Sequence, residues 1–305
     1  MHNNKEAALG AGSALVAYVL WGLLPLYWKM TEAAAPIETL AHRVVWALLF
    51  MVILLLAIGK GTTTLKEISG VFRKKKTAIA ISAAAILISI NWFVFIFAVN
   101  TDRVIEASLG YYINPLMNVL LATVFLHEKL AKKEIIAVLF AVVGVLIMTV
   151  YYGYFPWAAF VLALSFCGYG LIKKLVPIGA LSGLTIETLL VTPFALGLLA
   201  WFSYQGTSSF SMTTDAMLSI VLIGGGLATA LPLLLFAVGA KRITFSLIGI
   251  LQYVAPTFML IIGVFIFQEP FSTIQLISFA MIWVGLLLFS YSRFRIRFSP
   301  SVVQH

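Results

Sequence analysis

Apolar residues along this chain come in long unbroken runs separated by short polar punctuation. Ten runs are long enough to span a membrane: roughly 8–28, 37–59, 78–99, 106–126, 133–151, 154–172, 183–204, 216–238, 245–267 and 272–292. One helical span needs about 20 apolar residues. The runs lack the in–out alternation that a transmembrane β-barrel requires. The third-to-fourth and fifth-to-sixth connections are very short, which suits antiparallel helical neighbours. The pattern predicts an all-α integral membrane protein of ten transmembrane helices, with almost no mass outside the bilayer. The longest connection, 60–76, is expected to be a loop. The first run, about 20 residues, exceeds the usual secretory h-region of about 7–15. It also carries Trp21, Pro25, Tyr27 and Trp28, so it is expected to stay as a helix rather than be cleaved near Ala33–Ala35.

Composition agrees and narrows the class. Of 305 residues, 62% are hydrophobic and 10% are charged, with a mean hydropathy of +1.06. Soluble domains carry roughly 25% charged residues. A soluble enzyme, a disordered chain and a nucleic-acid-binding module are therefore excluded. The net charge of +9 is explained by location. With the N-terminus in the cytoplasm, that side receives Lys5, six cations in 60–76, and Lys129, Lys132 and Lys133. It also receives Lys173, Lys174, Lys241, Arg242, Arg293, Arg295 and Arg297, which makes 17 of the 20 Lys and Arg. Only Lys29, Arg43 and Arg103 remain. By the positive-inside rule both termini are expected in the cytoplasm of a multi-pass plasma-membrane protein. The single Cys167 excludes intrachain disulfides and cysteine metal sites, and no cofactor or metal is expected.

The chain repeats itself. At a shift of 141 positions Pro115 meets Pro256, Glu128 meets Glu269, Gly144 meets Gly285 and Phe95 meets Phe236. Ala83-Ala84-Ala85 meets Gly224-Gly225-Gly226, and at a shift of 149 Glu38-Thr39-Leu40 meets Glu187-Thr188-Leu189. Five spans per unit is odd, so the second copy, 151–305, crosses the membrane opposite to the first, 1–150. Inverted repeats around a midplane site are a common plan of secondary transporters.

Several stretches resemble one family. They are Trp21-Gly22-Leu23-Leu24-Pro25-Leu26-Tyr27-Trp28-Lys29, Ala41-His42-Arg43-Val44-Val45-Trp46 and Asn91-Trp92, with two more on later helices. Those are Glu106-Ala107-Ser108-Leu109-Gly110-Tyr111-Tyr112-Ile113-Asn114-Pro115-Leu116 and Leu251-Gln252-Tyr253-Val254-Ala255-Pro256. The chain resembles the RarD family, within the EamA branch of the drug/metabolite transporter superfamily. The resemblance implies a ten-helix plasma-membrane protein made of two EamA repeats. The family's name comes from an association with chloramphenicol sensitivity, and no motif of it fixes catalytic residues.

Ionisable groups inside a span are costly, so each is a candidate site. Glu38 and His42 are one turn apart on the second helix, as are Thr39 and Arg43. Arg43 lies seven residues below Pro36-Ile37-Glu38's start, roughly 10 Å deep at 1.5 Å per residue. It is expected to face the cavity and bind an anionic group, the other reading being a structural tie to Glu38 or a carbonyl. His42 beside a carboxylate is a proton-relay candidate or a satisfied core histidine. Glu187 mirrors Glu38, as gate, proton site or helix-start charge. Glu106 is expected to serve its own helix start.

Pro115 and Pro256 free the carbonyls of Tyr111 and Gln252. These kinks, with Tyr112, Asn114 and Tyr253, are expected to form the substrate floor, the alternative being two ordinary hinges. Asn91, Trp92, Tyr18 and Trp21 are expected to line the cavity, and Gly225 and Pro232 to bend or tighten the eighth helix. The fifth and tenth helices, each with a central glycine, are expected at the periphery, where they support a homodimer. The function expected is secondary active transport of a small organic metabolite or drug-like solute by alternating access, with proton coupling open. The alternative is a structural or channel-like membrane protein. No HExxH, Walker A or filter motif points to an enzyme, pump or channel.

Overall fold

Long apolar segments leave backbone N–H and C=O groups nothing to bond but each other, which makes the helix the default element. The computed structural model describes residues 2–126, 132–176, 178–240, 242–243 and 251–298. Its helices are α1 (His2–Lys29), α2 (Pro36–Ala57), α3 (Gly61–Arg73), α4 (Lys75–Asn100), α5 (Val104–Leu126) and α6 (Lys132–Tyr152). They continue with α7 (Trp157–Leu175), α8 (Ala180–Tyr204), α9 (Ala216–Ala240), α10 (Val254–Ile261) and α11 (Thr273–Phe298), a π-helical turn (Ile262–Ile266) extending α10. Among the described residues there is no strand, only an isolated bridge between Ser211 and Asp215. Among the described residues seven helices are long and apolar enough to cross a membrane: α1, α2, α4, α6, α8, α9 and α11. Trp157–Lys173 and Val254–Ile266 are shorter apolar stretches. The other expected runs fall on helices; of the ninth, 245–267, residues 245–250 lie outside the described residues and Val254–Ile266 is helical, and Glu128, Lys129 and Lys241 also lie outside the described residues.

The expected loop at 60–76 is instead the helix α3. Thr64, Ile68 and Val71 recur at helical spacing and press onto Ile81, Val176 and Ile186. The surrounding cations mask this short stripe in the sequence. Pro256 also differs from expectation. It stands in the first turn of α10, where its missing N–H is one that a helix start leaves unbonded anyway. Gln252 therefore precedes the helix rather than exposing a carbonyl inside it.

Hydrocarbon gives no hydrophobic drive between helices, so close approach at small residues holds them. α1 lies against α9 and α10, α2 against α8 and α9, and α4 against α7 and α8. α5 lies against α7 and α10, and α6 against α11. A Cβ on Gly226 would lie 2.5 Å from the Trp46 carbonyl oxygen, so α9 and α2 touch backbone to backbone there. On α6 and α11, a Cβ on Gly144 would lie 2.7 Å from the Ser278 oxygen, and one on Gly285 2.7 Å from the Ala137 oxygen.

Gly226→Ala is expected to cost about 1–3 kcal/mol through overpacking, read as a lower unfolding temperature in detergent. Gly197→Ala, where a Cβ meets nothing within 4 Å, is expected to change it little. Equal effects of the two substitutions would contradict the backbone contact.

Candidate substrate site

Arg43 sits inside the bundle, 4% exposed, between two indole faces. Its ζ-carbon is 4.8 Å from the ring centre of Trp28 on α1 and 4.3 Å from that of Trp92 on α4. Cation–π attraction strengthens in such a dry setting. Nε donates to Thr229 Oγ1 at 2.8 Å, and that hydroxyl donates onward to the Gly225 carbonyl at 2.8 Å. Gly225 leaves room for the cage, because a Cβ there would stand 3.3 Å from the Trp28 ring. Among the described residues Arg43 forms no salt bridge.

Four buried polar atoms on α1 and α2 have no hydrogen-bond partner among the described residues: Trp28 Nε1, Thr39 Oγ1, His42 Nε2 and Arg43 Nη1. Indole and guanidinium nitrogens only donate. His42 Nδ1 accepts from Trp46 Nε1 at 3.2 Å, so a neutral imidazole carries its proton on Nε2 and donates there too. Thr39 and Arg43 share one helical face a turn apart. The region thus offers donors and a positive charge, and its complement is a group rich in acceptors.

The other candidates divide. Asn91 joins the cage region: Nδ2 donates to the Leu162 carbonyl (2.9 Å) and Ser165 Oγ (3.1 Å), and Oδ1 accepts from Tyr111 at 3.4 Å. Tyr18 and Trp21 pack with Phe236, at centroid distances of 5.8 and 5.6 Å, in the same core cluster but nearer the other end of α1. Tyr112 turns away to bond Thr257 (2.7 Å) and pack on Phe279 and Trp283. Tyr253 belongs to that second cluster. The Asn114 carbonyl accepts from Cys167 at 3.4 Å. Pro115 and Pro232 lie inside continuous helices. α5 and α10 meet at Ser108, which donates to the Pro256 carbonyl at 2.8 Å, two turns before Pro115.

Carboxylates at one end of the bundle accept hydrogen bonds from backbone N–H groups elsewhere in the chain. Glu38 accepts from Ser208 Oγ (3.0 Å) and Ser209 N (2.8 Å) in the α8–α9 connection, rather than from Arg43. His42 stacks on Phe210 of the same connection, 4.8 Å between centroids. Glu106 accepts from Ala158 N (2.8 Å) at the start of α7, not from its own helix start, and pairs with Arg103 at 2.6 Å. Glu269 accepts from Val104 N (2.6 Å) and Ile105 N (2.8 Å) at the start of α5. Burial raises its carboxyl above the ordinary value, and those two N–H groups pull it back. At the other end, Glu187 is 1% exposed and bonds Lys173 (2.8 Å) and the Tyr169 hydroxyl (3.0 Å). Trp28, Thr229 and Phe210 were not legible as site residues, since each reaches the site from a remote stretch of chain.

The model of the EamA-like transporter family matches residues 8–150 and 155–291. "Uncharacterized transporter YojE" of Bacillus subtilis (strain 168) is 44% identical over 291 residues, 95% of this chain and 96% of that protein. Protein RarD of Escherichia coli (strain K12) is 37% identical over 286 residues, 93% of this chain and 95% of that one. "Chloramphenicol-sensitive protein RarD" of Pseudomonas aeruginosa is 31% identical over 275 residues, 90% and 91% of the two chains. A solved crystal structure shares the fold at a TM-score of 0.58 and 20% identity, over 96% of this chain and 99% of that one.

Lys173→Met leaves the buried Glu187 charge without its cation, at a cost of about 3–5 kcal/mol. It is expected to depress folded yield and unfolding temperature, and Lys173→Met with Glu187→Leu to recover most of the loss. A double variant as unstable as the single would contradict this pairing.

Proposed function

The chain belongs to the EamA-like transporter family, and on that premise we propose that it is a secondary active transporter of a small organic solute carrying an anionic group. Several of its relatives are named as transporters. The single observation that carries the substrate class is Arg43, a buried cation between Trp28 and Trp92 with Nη1 and its neighbours' donors unmatched. A carboxylate supplies the missing charge and acceptors, and the two indoles suit an aromatic or apolar body beside it. Arginine's planar fork matches a carboxylate in a way lysine does not.

Ten spans in two inverted five-helix repeats, 1–150 and 151–305, give this site its alternating access. The family model matches twice. The helix contacts exchange under the pairing of α1 with α7, α2 with α8, α4 with α9, α5 with α10 and α6 with α11. Thus α1 on α9 answers α4 on α7, and α1 on α10 answers α5 on α7. The glycine contacts of α6 and α11 are reciprocal: Gly144 and Gly285, and their partners Ala137 and Ser278, each stand 141 positions apart. Glu38 with Ser208 and Ser209 serves as the gate on one face, and Glu187 with Lys173 and Tyr169 as the gate on the other. In this reading the membrane is the cell membrane and both termini are cytoplasmic, an orientation supported by the placement of the basic residues. Proton coupling through His42 and Glu38 is the second reading, favoured by the unpartnered His42 Nε2.

Thermal-shift screening of the purified protein against aromatic carboxylates and their neutral amides is expected to show stabilisation by the acids. Arg43→Met is expected to weaken that binding at least about 30-fold, from a loss of ~2 kcal/mol or more for a desolvated charge pair, with Arg43→Lys in between. Chloramphenicol, which has no anionic group, serves as the neutral comparison suggested by one relative's name. Equal binding of acids and amides, or full binding by Arg43→Met, would overturn the substrate class. In proteoliposomes, uptake of a bound acid is expected to follow an imposed pH gradient and to lose that dependence in His42→Gln. Uptake independent of the gradient would remove the coupling proposal.

A further inference from the structure

α3 carries chemistry that transport does not use. Its inner stripe rests on the protein: Thr64 Oγ1 lies 3.4 Å from Ser182 Oγ, and Val71 packs with Val176 and Ile186 of the α7–α8 end. Leu65 and Phe72, seven residues apart and so on one side of the helix, remain 66% and 49% exposed. Leu56 at the end of α2, Ile58 just after it and Ile79 on α4 are exposed apolar residues as well. One position further along, Lys66 and Arg73 repeat the same spacing and are turned about 100° round the helix from that apolar pair.

Around the helix the order is therefore protein-facing stripe, exposed apolar edge, cationic edge. That order suits a helix lying in the membrane surface with apolar side chains inward and cations at headgroup depth. The segment 60–76 holds six cations against one carboxylate, Glu67. Among the described residues none of the six forms a salt bridge. Like charges at this density repel, and an anionic headgroup surface offsets that repulsion.

We infer that α3 is an in-plane arm that binds anionic phospholipid headgroups through Lys66 and Arg73, supported by Lys60 and Lys74-Lys75-Lys76. Bound lipid holds α3 against Ser182 and Ile186, beside the Lys173–Glu187 pair, and so steadies that end of the bundle.

The test uses the full-length protein in mixed micelles containing phosphatidylglycerol or phosphatidylcholine. Wild type is expected to gain unfolding temperature with phosphatidylglycerol only. K66Q/R73Q is expected to need on the order of 30-fold more of that lipid for the same gain, from the contribution of two basic residues at a charged surface. K132Q/K133Q, with the same change in net charge, is expected to behave as wild type. Equal losses in both variants, or no preference for phosphatidylglycerol in wild type, would overturn the proposal. A nitroxide at Phe72→Cys, in a Cys167→Ser background in vesicles, gives an independent reading. Relaxation by oxygen exceeding relaxation by an aqueous nickel complex is expected, and the reverse would also overturn it.

Discussion

Hydrocarbon supplies neither hydrogen bonds nor counter-ions, so every polar group drawn into this bundle must find its partner within the protein. Three buried carboxylates meet that demand by a common device. Glu106, Glu269 and Glu38 each accept backbone N–H groups from a different part of the chain. The donors to Glu106 and Glu269 belong to helix starts, which leave N–H groups unbonded and carry partial positive charge, so each interaction satisfies a buried carboxylate and ties distant parts of the chain together. Glu187 meets the same demand with a lysine and a tyrosine. Arg43 stands apart because its protein partners are a threonine hydroxyl and two ring faces, none of them negatively charged.

That exception gives the proposed transport its physical logic. A cation held dry by aromatic rings stays charged only at a cost, and an arriving carboxylate relieves it. The proposed two-fold relation of the repeats gives the cation access to both sides in turn. The reciprocal glycine contacts of α6 and α11 act as the fixed seam in this account, since backbone touching backbone leaves little room to slide. The proposed gates are held by side-chain bonds, Glu38 with Ser208 and Ser209 of the α8–α9 connection and Glu187 with Lys173 and Tyr169 of α7, which open at lower cost than a packed seam.

Helix positions were legible because an apolar run of about 20 residues has one stable fate in a bilayer. α3 was not, because its stripe of Thr64, Ile68 and Val71 is short and its burial depends on Ile186, far along the chain. The depth of Arg43 could be counted from Pro36, yet its partner Thr229 lies 186 residues away. Tyr111 and Tyr112 look equivalent in the sequence. Being about 100° apart on one helix, they part company, the first toward Asn91 and the second toward Thr257. Local signals report periodicity and cost; they do not report which distant element supplies the partner.

Alternating access requires that the surroundings of Arg43 open to each side of the membrane in turn. Thr229→Cys, in a Cys167→Ser background, places a thiol in contact distance of the guanidinium. Membrane-impermeant maleimide applied separately to right-side-out and inside-out vesicles would measure its accessibility. Alternating access predicts labelling from both sides, each slowed when the opposite face is cross-linked open. A thiol that reacts from one side only, or from neither, would contradict it.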